Sequence, residues 1–139
     1  MDIVLDSNVL FRMLISQGDI IELFFNSNLK IFASQRLLEE FYNNEKEILL
    51  KSKLSKKDFQ LLSSLLFKRI TFVKLDEYKK YLPKAKQLLK RHEKDEDFIA
   101  LCLLKRCKLW TYESYLFEIG FGISTKDISN KLSRFTNFL

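Results

Sequence analysis

Apolar positions along the chain alternate between short β-branched runs and longer segments in which apolar residues recur every three or four positions. Short apolar runs bounded by polar residues are typical of buried strands. We predict strands over residues 3–5, 30–33, 70–73 and 108–111, with residues 122–124 as a candidate fifth strand.

The longer segments have the periodicity of amphipathic helices. Ser7 and Asn8 are residues that favour helix starts, and Gly18 interrupts the helix that follows them. Ser55, followed three residues later by Asp58, resembles a capping box. We predict helices over residues 7–17, 20–25, 35–50, 55–67, 77–91 and 95–104, and one more at the C-terminus.

Strands separated by helices imply parallel pairing with right-handed crossovers. We therefore predict an α/β fold, a three-layer α/β/α sandwich with a mainly parallel sheet of four to five strands. The chain has 139 residues and shows no repeat, linker or change of pattern that would mark a boundary. We expect a single domain over residues 1–139.

Composition excludes several classes of protein. The chain is 47% hydrophobic with one Pro and three Gly, which excludes a disordered or fibrous chain. Cys102 and Cys107 form neither a disulfide framework nor a zinc pattern, and the single histidine, His92, disfavours histidine-based catalysis. No apolar stretch reaches the ~18–20 residues that span a bilayer, and the acidic start does not resemble a signal peptide. We expect a cytoplasmic protein without membrane association.

The net charge of +6 is unevenly distributed. Residues 1–42 carry three basic and six acidic groups, residues 43–94 carry fifteen and six, and residues 95–139 carry six of each. A basic surplus concentrated in one stretch favours a polyanionic partner, although helical lysines commonly form only a solvated face. The lysines that we expect to contact such a partner include Lys51, Lys53, Lys56, Lys57, Lys79 and Lys80.

Acidic residues follow the predicted strands or open the helices that lead into them. In open α/β sheets, ligands bind beyond the carboxyl ends of the strands. Carboxylates that converge there raise each other's pKa and need a cation, and Mg²⁺ or Mn²⁺ prefers oxygen ligands. Each acid taken alone could also cap or flank a helix, so their convergence is a hypothesis. The acids are Asp6, Glu39, Glu40, Asp95, Asp97 and Glu113.

Two motifs in the first third of the chain resemble those of PIN-domain nucleases. Residues 3–10, IVLDSNVL, resemble the family's first motif, an apolar strand followed by Asp-Thr/Ser-Asn and an apolar residue. Residues 37–41, LLEEF, resemble the second motif, in which a Glu precedes an apolar residue on an early helix. We match Glu40 to that acid and keep Glu39 as the alternative.

Two later motifs extend the resemblance over about residues 2–133. Residues 95–103 are similar to the third motif, an Asp that leads into a helix of small apolar residues, and Asp95 matches it better than Asp97. Residues 109–113 resemble the closing strand-Thr-x-Asp motif, with Glu113 in place of the usual Asp.

The resemblance implies a metal-dependent endoribonuclease that hydrolyses RNA phosphodiester bonds, similar to the VapC-like toxins of toxin–antitoxin pairs. It implies Mg²⁺ or Mn²⁺ as the cofactor, RNA as substrate, and an antitoxin and a second copy of the chain as protein partners. Two alternatives stay open: a non-catalytic RNA-binding or scaffold protein on a degenerate PIN fold, and a PIN nuclease of RNA processing without an antitoxin. The implied metal-binding and catalytic residues are Asp6, Glu40, Asp95 and Glu113, with Asp97 as a further ligand candidate, and the implied supporting residues are Ser7, Asn8 and Thr111.

Overall fold

The short apolar runs form one sheet in which all paired strands are parallel. In the computed structural model, which describes residues 1–136, the strand order is β3-β2-β1-β4-β5. This arrangement confirms the predicted α/β/α architecture and its parallel sheet of five strands. The strands are β1 (Asp2–Leu5), β2 (Lys30–Ser34), β3 (Ile70–Val73), β4 (Lys108–Trp110) and β5 (Gly122–Ile123).

Nine α-helices occur within the described residues, and two of their features differ from the sequence-based expectation. The predicted helix over residues 77–91 is divided by a 3₁₀ turn, with Pro83 in the first turn of the later helix, where its missing N–H costs nothing. The short helix that begins at Ser114 was not predicted. The helices are α1 (Ser7–Ser16), α2 (Asp19–Phe24), α3 (Gln35–Ser52), α4 (Lys56–Lys68), α5 (Leu75–Tyr78), α6 (Leu82–Leu89), α7 (Glu96–Lys105), α8 (Ser114–Glu118) and α9 (Thr125–Thr136).

One predicted helix start is confirmed in detail. Ser55 is the N-cap residue of α4, and its hydroxyl oxygen accepts a hydrogen bond from the backbone N–H of Asp58 at 3.1 Å. Such a cap satisfies one of the N–H groups that a helix start leaves without an intrahelical partner.

The central strand β1 is apolar throughout its buried part because it is enclosed on both faces. Ile3, Val4 and Leu5 have no exposed surface. Helix α7 packs against β1, β2 and β4, and the five consecutive residues from Phe98 to Cys102 are all buried. This explains why the sequence of α7 is apolar on all sides rather than on one stripe.

The end of β4 is fixed by two hydrogen bonds around Trp110, whose side chain is fully buried. Its indole N–H donates to Thr125 Oγ1 at 2.9 Å, and its carbonyl oxygen accepts from the backbone N–H of Asp6 at 3.1 Å. The carboxyl ends of β1 and β4 are thereby held side by side, which sets the geometry of the acidic residues that follow them.

No helix within residues 1–136 combines the length and the apolar character that crossing a bilayer requires.

Candidate functional site

Asp6 lies at the carboxyl end of β1 and is only 2% exposed. It is the N-cap residue of α1, yet its side chain makes no capping hydrogen bond. Its Oδ2 instead accepts a hydrogen bond from the Thr111 hydroxyl at 2.6 Å. The Thr111 hydroxyl therefore orients one carboxylate oxygen, while the nearby backbone N–H of Asn8 in the first turn of α1 favours the ionised form of Asp6.

Ser7 connects Asp6 to an acid on a different helix. The Ser7 hydroxyl donates a hydrogen bond to Glu40 Oε2 and lies 3.5 Å from Asp6 Oδ1. The other oxygen of Glu40, Oε1, lies 3.5 Å from Nε of Arg36, one turn earlier on α3. Glu39, the alternative match, is exposed. Of the two neighbouring glutamates, the structure brings Glu40 to Asp6.

Asp95 precedes α7 and is 4% exposed. Like Asp6, it is an N-cap residue whose side chain makes no capping hydrogen bond. Its Oδ2 is buried and has no hydrogen-bond partner among the described residues. A buried oxygen of an ionised carboxylate left in this condition costs free energy, so the arrangement favours either a bound cation or a proton on Asp95 beside the Glu113 carboxyl.

Glu113 completes the group from the segment that follows β4. Its backbone N–H donates to Thr111 Oγ1 at 3.1 Å, and the same hydroxyl donates to Asp6, so Thr111 joins the two acidic segments. Glu113 is the N-cap residue of α8, the helix that the sequence pattern did not predict. We refer to Asp6, Glu40, Asp95 and Glu113 together as the acidic site.

The acidic site is electrostatically unfavourable without a cation. Burial is the main cause that raises the pKa of Asp6, and the charges of Glu113 and Glu40 raise it further, while the hydrogen bond from Thr111 opposes them. Burial, the neighbouring charges of Glu113 and Asp6, and the interaction of the protonated form with the Glu113 carboxylate raise the pKa of Asp95 to about 7. Four acids from four separate segments therefore disfavour ionisation at this site.

Asp97 is held away from this group. Its Oδ2 accepts a hydrogen bond from the hydroxyl of Tyr78, a residue of α5 that is 1% exposed. Burial and the interaction with Asp97 raise the pKa of that hydroxyl. Asp95 precedes α7, whereas Asp97 lies in its first turn, and the hydrogen bond from Tyr78 to Asp97 connects α5 to α7.

A groove between α1 and α3 contains two of the residues that the sequence predicted to support the site or to contact RNA, Asn8 and Lys51. Asn8 is exposed and lines a groove of about 410 Å³ between α1 and α3, together with Arg12, Asn44 and Lys51. The Lys51 amine also lies 2.8 Å from the carboxylate of Glu47. Of the six predicted lysines, Lys51 is the one that lines this groove.

The other five predicted lysines lie on two further parts of the surface. One is the end of α3 and the start of α4, and the other is the 3₁₀ turn before α6. In that turn one lysine amine lies 3.6 Å from Asp76 and the next lies over the ring of Tyr81. The residues are Lys53, Lys56 and Lys57, and Lys79 and Lys80.

Sequence reasoning missed a pair beside the acidic site. Tyr112 stands between Thr111 and Glu113 and is 41% exposed, and the guanidinium carbon of Arg12 lies 5.2 Å from the centre of its ring. The sequence does place each residue near a predicted site residue. Tyr112 is the variable position of the closing motif, and Arg12 is one helical turn after Asn8 on α1. Their contact depends on how α1 sits against the segment after β4, which the sequence pattern does not contain.

The chemistry of the acidic site fits a hard divalent ion. Within residues 1–136 there is no preformed group of three or more His, Cys, Asp or Glu side chains close enough to enclose an ion. Mg²⁺ does not require such a group, because it usually retains several waters and binds through one or two carboxylates. The unpartnered Oδ2 of Asp95 and the raised pKa values are the observations that agree with this mode of binding.

Comparison with known proteins gave one family match. A family model described as PIN domain matches residues 4–133, which is most of the chain and includes the whole acidic site. A search of curated proteins found no match.

Proposed function

The chain belongs to the PIN domain family, and from this membership we propose that it is an endoribonuclease that uses Mg²⁺ or Mn²⁺. The family has a nuclease-type fold, and PIN nucleases generally use divalent metal ions. The observation that carries the proposal is the acidic site itself, in which buried Asp6 and Asp95 hold raised pKa values and Asp95 Oδ2 has no described partner. A group that only supported the fold would be expected to satisfy its buried oxygens.

Asp6, Glu40, Asp95 and Glu113 would supply the oxygen ligands. A divalent ion bound there supplies positive charge that favours hydroxide over water and offsets charge on the phosphate. The chain's own contribution is orientation: the Thr111 hydroxyl fixes Asp6 Oδ2, and the Ser7 hydroxyl fixes Glu40 Oε2. The other oxygen of Glu40 lies 3.5 Å from Arg36 Nε, and the other oxygen of Asp6 lies 3.5 Å from the Ser7 hydroxyl, so both carboxylates are held on two sides.

The groove beside the acidic site supports a single-stranded RNA substrate. Tyr112 presents an exposed ring next to Glu113, and Arg12 and Lys51 place cationic groups along the adjoining groove. Unpaired bases stack on aromatic rings, and cations follow the phosphate backbone. In a duplex the bases are already stacked on each other, so this arrangement favours unpaired segments.

Metal removal tests the proposal directly. Cleavage of a single-stranded RNA should stop when the protein is treated with EDTA and return when Mn²⁺ or Mg²⁺ is added in excess, because without an ion the acidic site repels phosphate. Fragment analysis on a denaturing gel measures the result. RNA binding without cleavage under all metal conditions would instead support the non-catalytic alternative.

Removing the exposed ring should weaken substrate binding. Tyr112→Ala is expected to raise KM roughly 5- to 150-fold with a smaller change in kcat, because base stacking on an aromatic ring contributes about 1–3 kcal/mol per base. Tyr112→Phe keeps the ring and is the matched control, so it should behave like the parent protein. An equal loss in both variants would assign the effect to the hydroxyl and contradict stacking.

We further propose that the protein is the toxin of a toxin–antitoxin pair and forms a homodimer. The support is a set of exposed apolar side chains on α3 and α4, namely Tyr42, Leu61 and Leu65, which are 61%, 60% and 45% exposed. Surfaces of this kind favour protein partners.

Leu61→Glu combined with Leu65→Glu should convert a dimer to a monomer in light-scattering measurements. The circular dichroism spectrum of the variant should match that of the parent protein, which would show that the fold is retained. A variant that stays dimeric would place the interface elsewhere.

A further inference from the structure

A second pocket lies at the edge of the sheet opposite the acidic site. It has a volume of about 550 Å³ and is lined where β1 and β4 begin, where α7 ends, and along α9. Asp2 opens β1 beside this pocket, whereas Asp6 follows the other end of the same strand. At about 3.3 Å per residue the two positions are roughly 13 Å apart through the sheet, and the pocket shares no lining residue with the acidic site.

This pocket collects five cationic side chains, and we call it the basic pocket. Among the residues that the structure describes, Asp2 supplies the one lining carboxylate. None of the five cations forms an ion pair within 4.0 Å with any residue in the described part of the chain. The cations are Lys105, Arg106, Lys108, Lys131 and Arg134.

Helix geometry explains only part of this concentration of charge. Lys105 and Arg134 lie in the last turns of α7 and α9, where cations interact favourably with the helix dipole. The Lys105 amine also lies 4.5 Å from the centre of the Phe32 ring. Arg106 is the C-cap residue of α7 and shares the interaction with the helix dipole, whereas Lys108 and Lys131 have no such compensation. Like charges gathered around one cavity repel unless an anion joins them.

The walls of the basic pocket combine this charge with apolar surface. The partly exposed side chains of Met1 and Cys107 contribute to the lining between the cations. Its volume falls within the range of small-molecule sites, in which apolar walls surround a few polar groups. Arginine and lysine at the rim suit phosphate oxygens, and the apolar part suits the flat face of a base.

We propose that the basic pocket binds a nucleotide phosphate at a site separate from the acidic site. The shared chemistry is a phosphate next to a nucleobase, carried either by a free mononucleotide or by the 5′ end of an RNA chain. Because the pocket is on the far edge of the sheet, a ligand held there does not reach the acidic residues. The site would therefore hold a product nucleotide or a non-reacting end of the substrate.

Calorimetric titration of the full chain in EDTA tests this proposal without requiring cleavage. Adenosine 5′-monophosphate should bind, whereas adenosine and inorganic phosphate should each bind at least about tenfold more weakly, since each lacks one half of the recognised chemistry. Lys108→Gln combined with Lys131→Gln should weaken binding of the nucleotide by at least about tenfold. Lys84→Gln combined with Lys126→Gln removes the same charge from positions outside the pocket and should leave binding unchanged.

Two oligoribonucleotides, one with a 5′-phosphate and one with a 5′-hydroxyl, distinguish the sources of the ligand. If the 5′-phosphorylated chain binds more tightly and this difference is lost in the Lys108/Lys131 variant, the pocket binds an RNA end. If both chains bind equally, the pocket binds the free nucleotide.

Nucleotide binding that is the same in the two double variants would overturn the proposal. So would inorganic phosphate that binds as tightly as the nucleotide. Neither result depends on whether the protein cleaves RNA.

Discussion

Replacing Asp95 with asparagine should abolish RNA cleavage and at the same time raise the stability of the metal-free protein. The amide would keep the shape of the side chain but lose the charge that Glu113 and Asp6 oppose. A bound ion is worth several kcal/mol of charge stabilisation in the transition state, so losing a ligand should lower the cleavage rate by a factor on the order of 10³. The substitution also removes a buried carboxylate, which should raise the free energy of unfolding by roughly 2–4 kcal/mol at pH 8.

Asp97→Asn is the matched control for this prediction. It makes the same chemical change two residues away, where the side chain contacts Tyr78 and not the acidic site. The asparagine oxygen can still accept the hydrogen bond from the Tyr78 hydroxyl, so stability should change by no more than about 1 kcal/mol and cleavage should persist. Chemical denaturation in EDTA and initial rates of cleavage in Mn²⁺ measure the two properties separately. Loss of cleavage in Asp97→Asn alone would assign the ligand role to Asp97 and contradict the prediction.

The other buried acid of the site should respond in the same way. Asp6→Asn is also expected to abolish cleavage without lowering apo-protein stability, because the Thr111 hydroxyl can still donate to the amide oxygen. A clear loss of stability in both Asp6→Asn and Asp95→Asn would mean that these carboxylates support the fold.

The sheet could be predicted from sequence because each strand carries its own signal. Residues 3–5 are apolar without interruption, and they form the fully buried centre of the sheet. The order β3-β2-β1-β4-β5 carries no such local signal, since it depends on which strands pair across the molecule. Helix α8 was missed for a related reason, because five residues between two strands are too few to show a helical period.

The acidic residues could be located to within two positions, but the choice between neighbours needed the structure. Glu39 and Glu40 are adjacent on α3, and only the direction of α3 relative to Ser7 brings Glu40 to Asp6. Asp95 and Asp97 are separated in the same way by the rotation of α7. The sequence gives the position of each acid along the chain. The rotation of a helix about its own axis, which decides the side chain that faces the site, depends on how the helix packs against its neighbours.

The distribution of charge along the sequence predicted a basic surface, but it did not predict where on the fold the cationic side chains gather. The basic residues of the 43–94 stretch are spread along α3, α4 and the segment before α7. Of the six lysines predicted to contact RNA, Lys51 lines the groove beside Asn8. Five other cations line the basic pocket, and all of them come from residues 95–139, the stretch in which basic and acidic groups are equal in number. Cancellation along the chain does not imply cancellation in space, because Asp95 and Glu113 lie at the opposite edge of the sheet from Lys108.

The metal-free protein should lose stability as pH rises from about 4 to about 7. In the folded state the pKa of Asp95 is raised from 3.8 to about 7, so across this interval the folded protein binds more protons than the unfolded chain. Stability therefore falls with increasing pH, and Asp6, whose pKa is also raised, adds to the same trend. At 1.36 kcal/mol per pKa unit, the contribution of Asp95 is up to about 4 kcal/mol, present in full below pH 4 and lost above pH 7.

Denaturation curves recorded between pH 4 and pH 8 in EDTA, for the parent protein and for Asp95→Asn, separate the titration of Asp95 and its coupled neighbours from that of the rest of the chain. The difference in stability between the two proteins should be small at pH 4 and largest at pH 8, in favour of the variant. Saturating Mn²⁺ should reverse the order at pH 8, because the ion stabilises only the protein that can ligate it, and protons should displace the ion at low pH. A pH-independent difference would show that Asp95 is ionised throughout, and that the charge of its neighbours does not control its protonation.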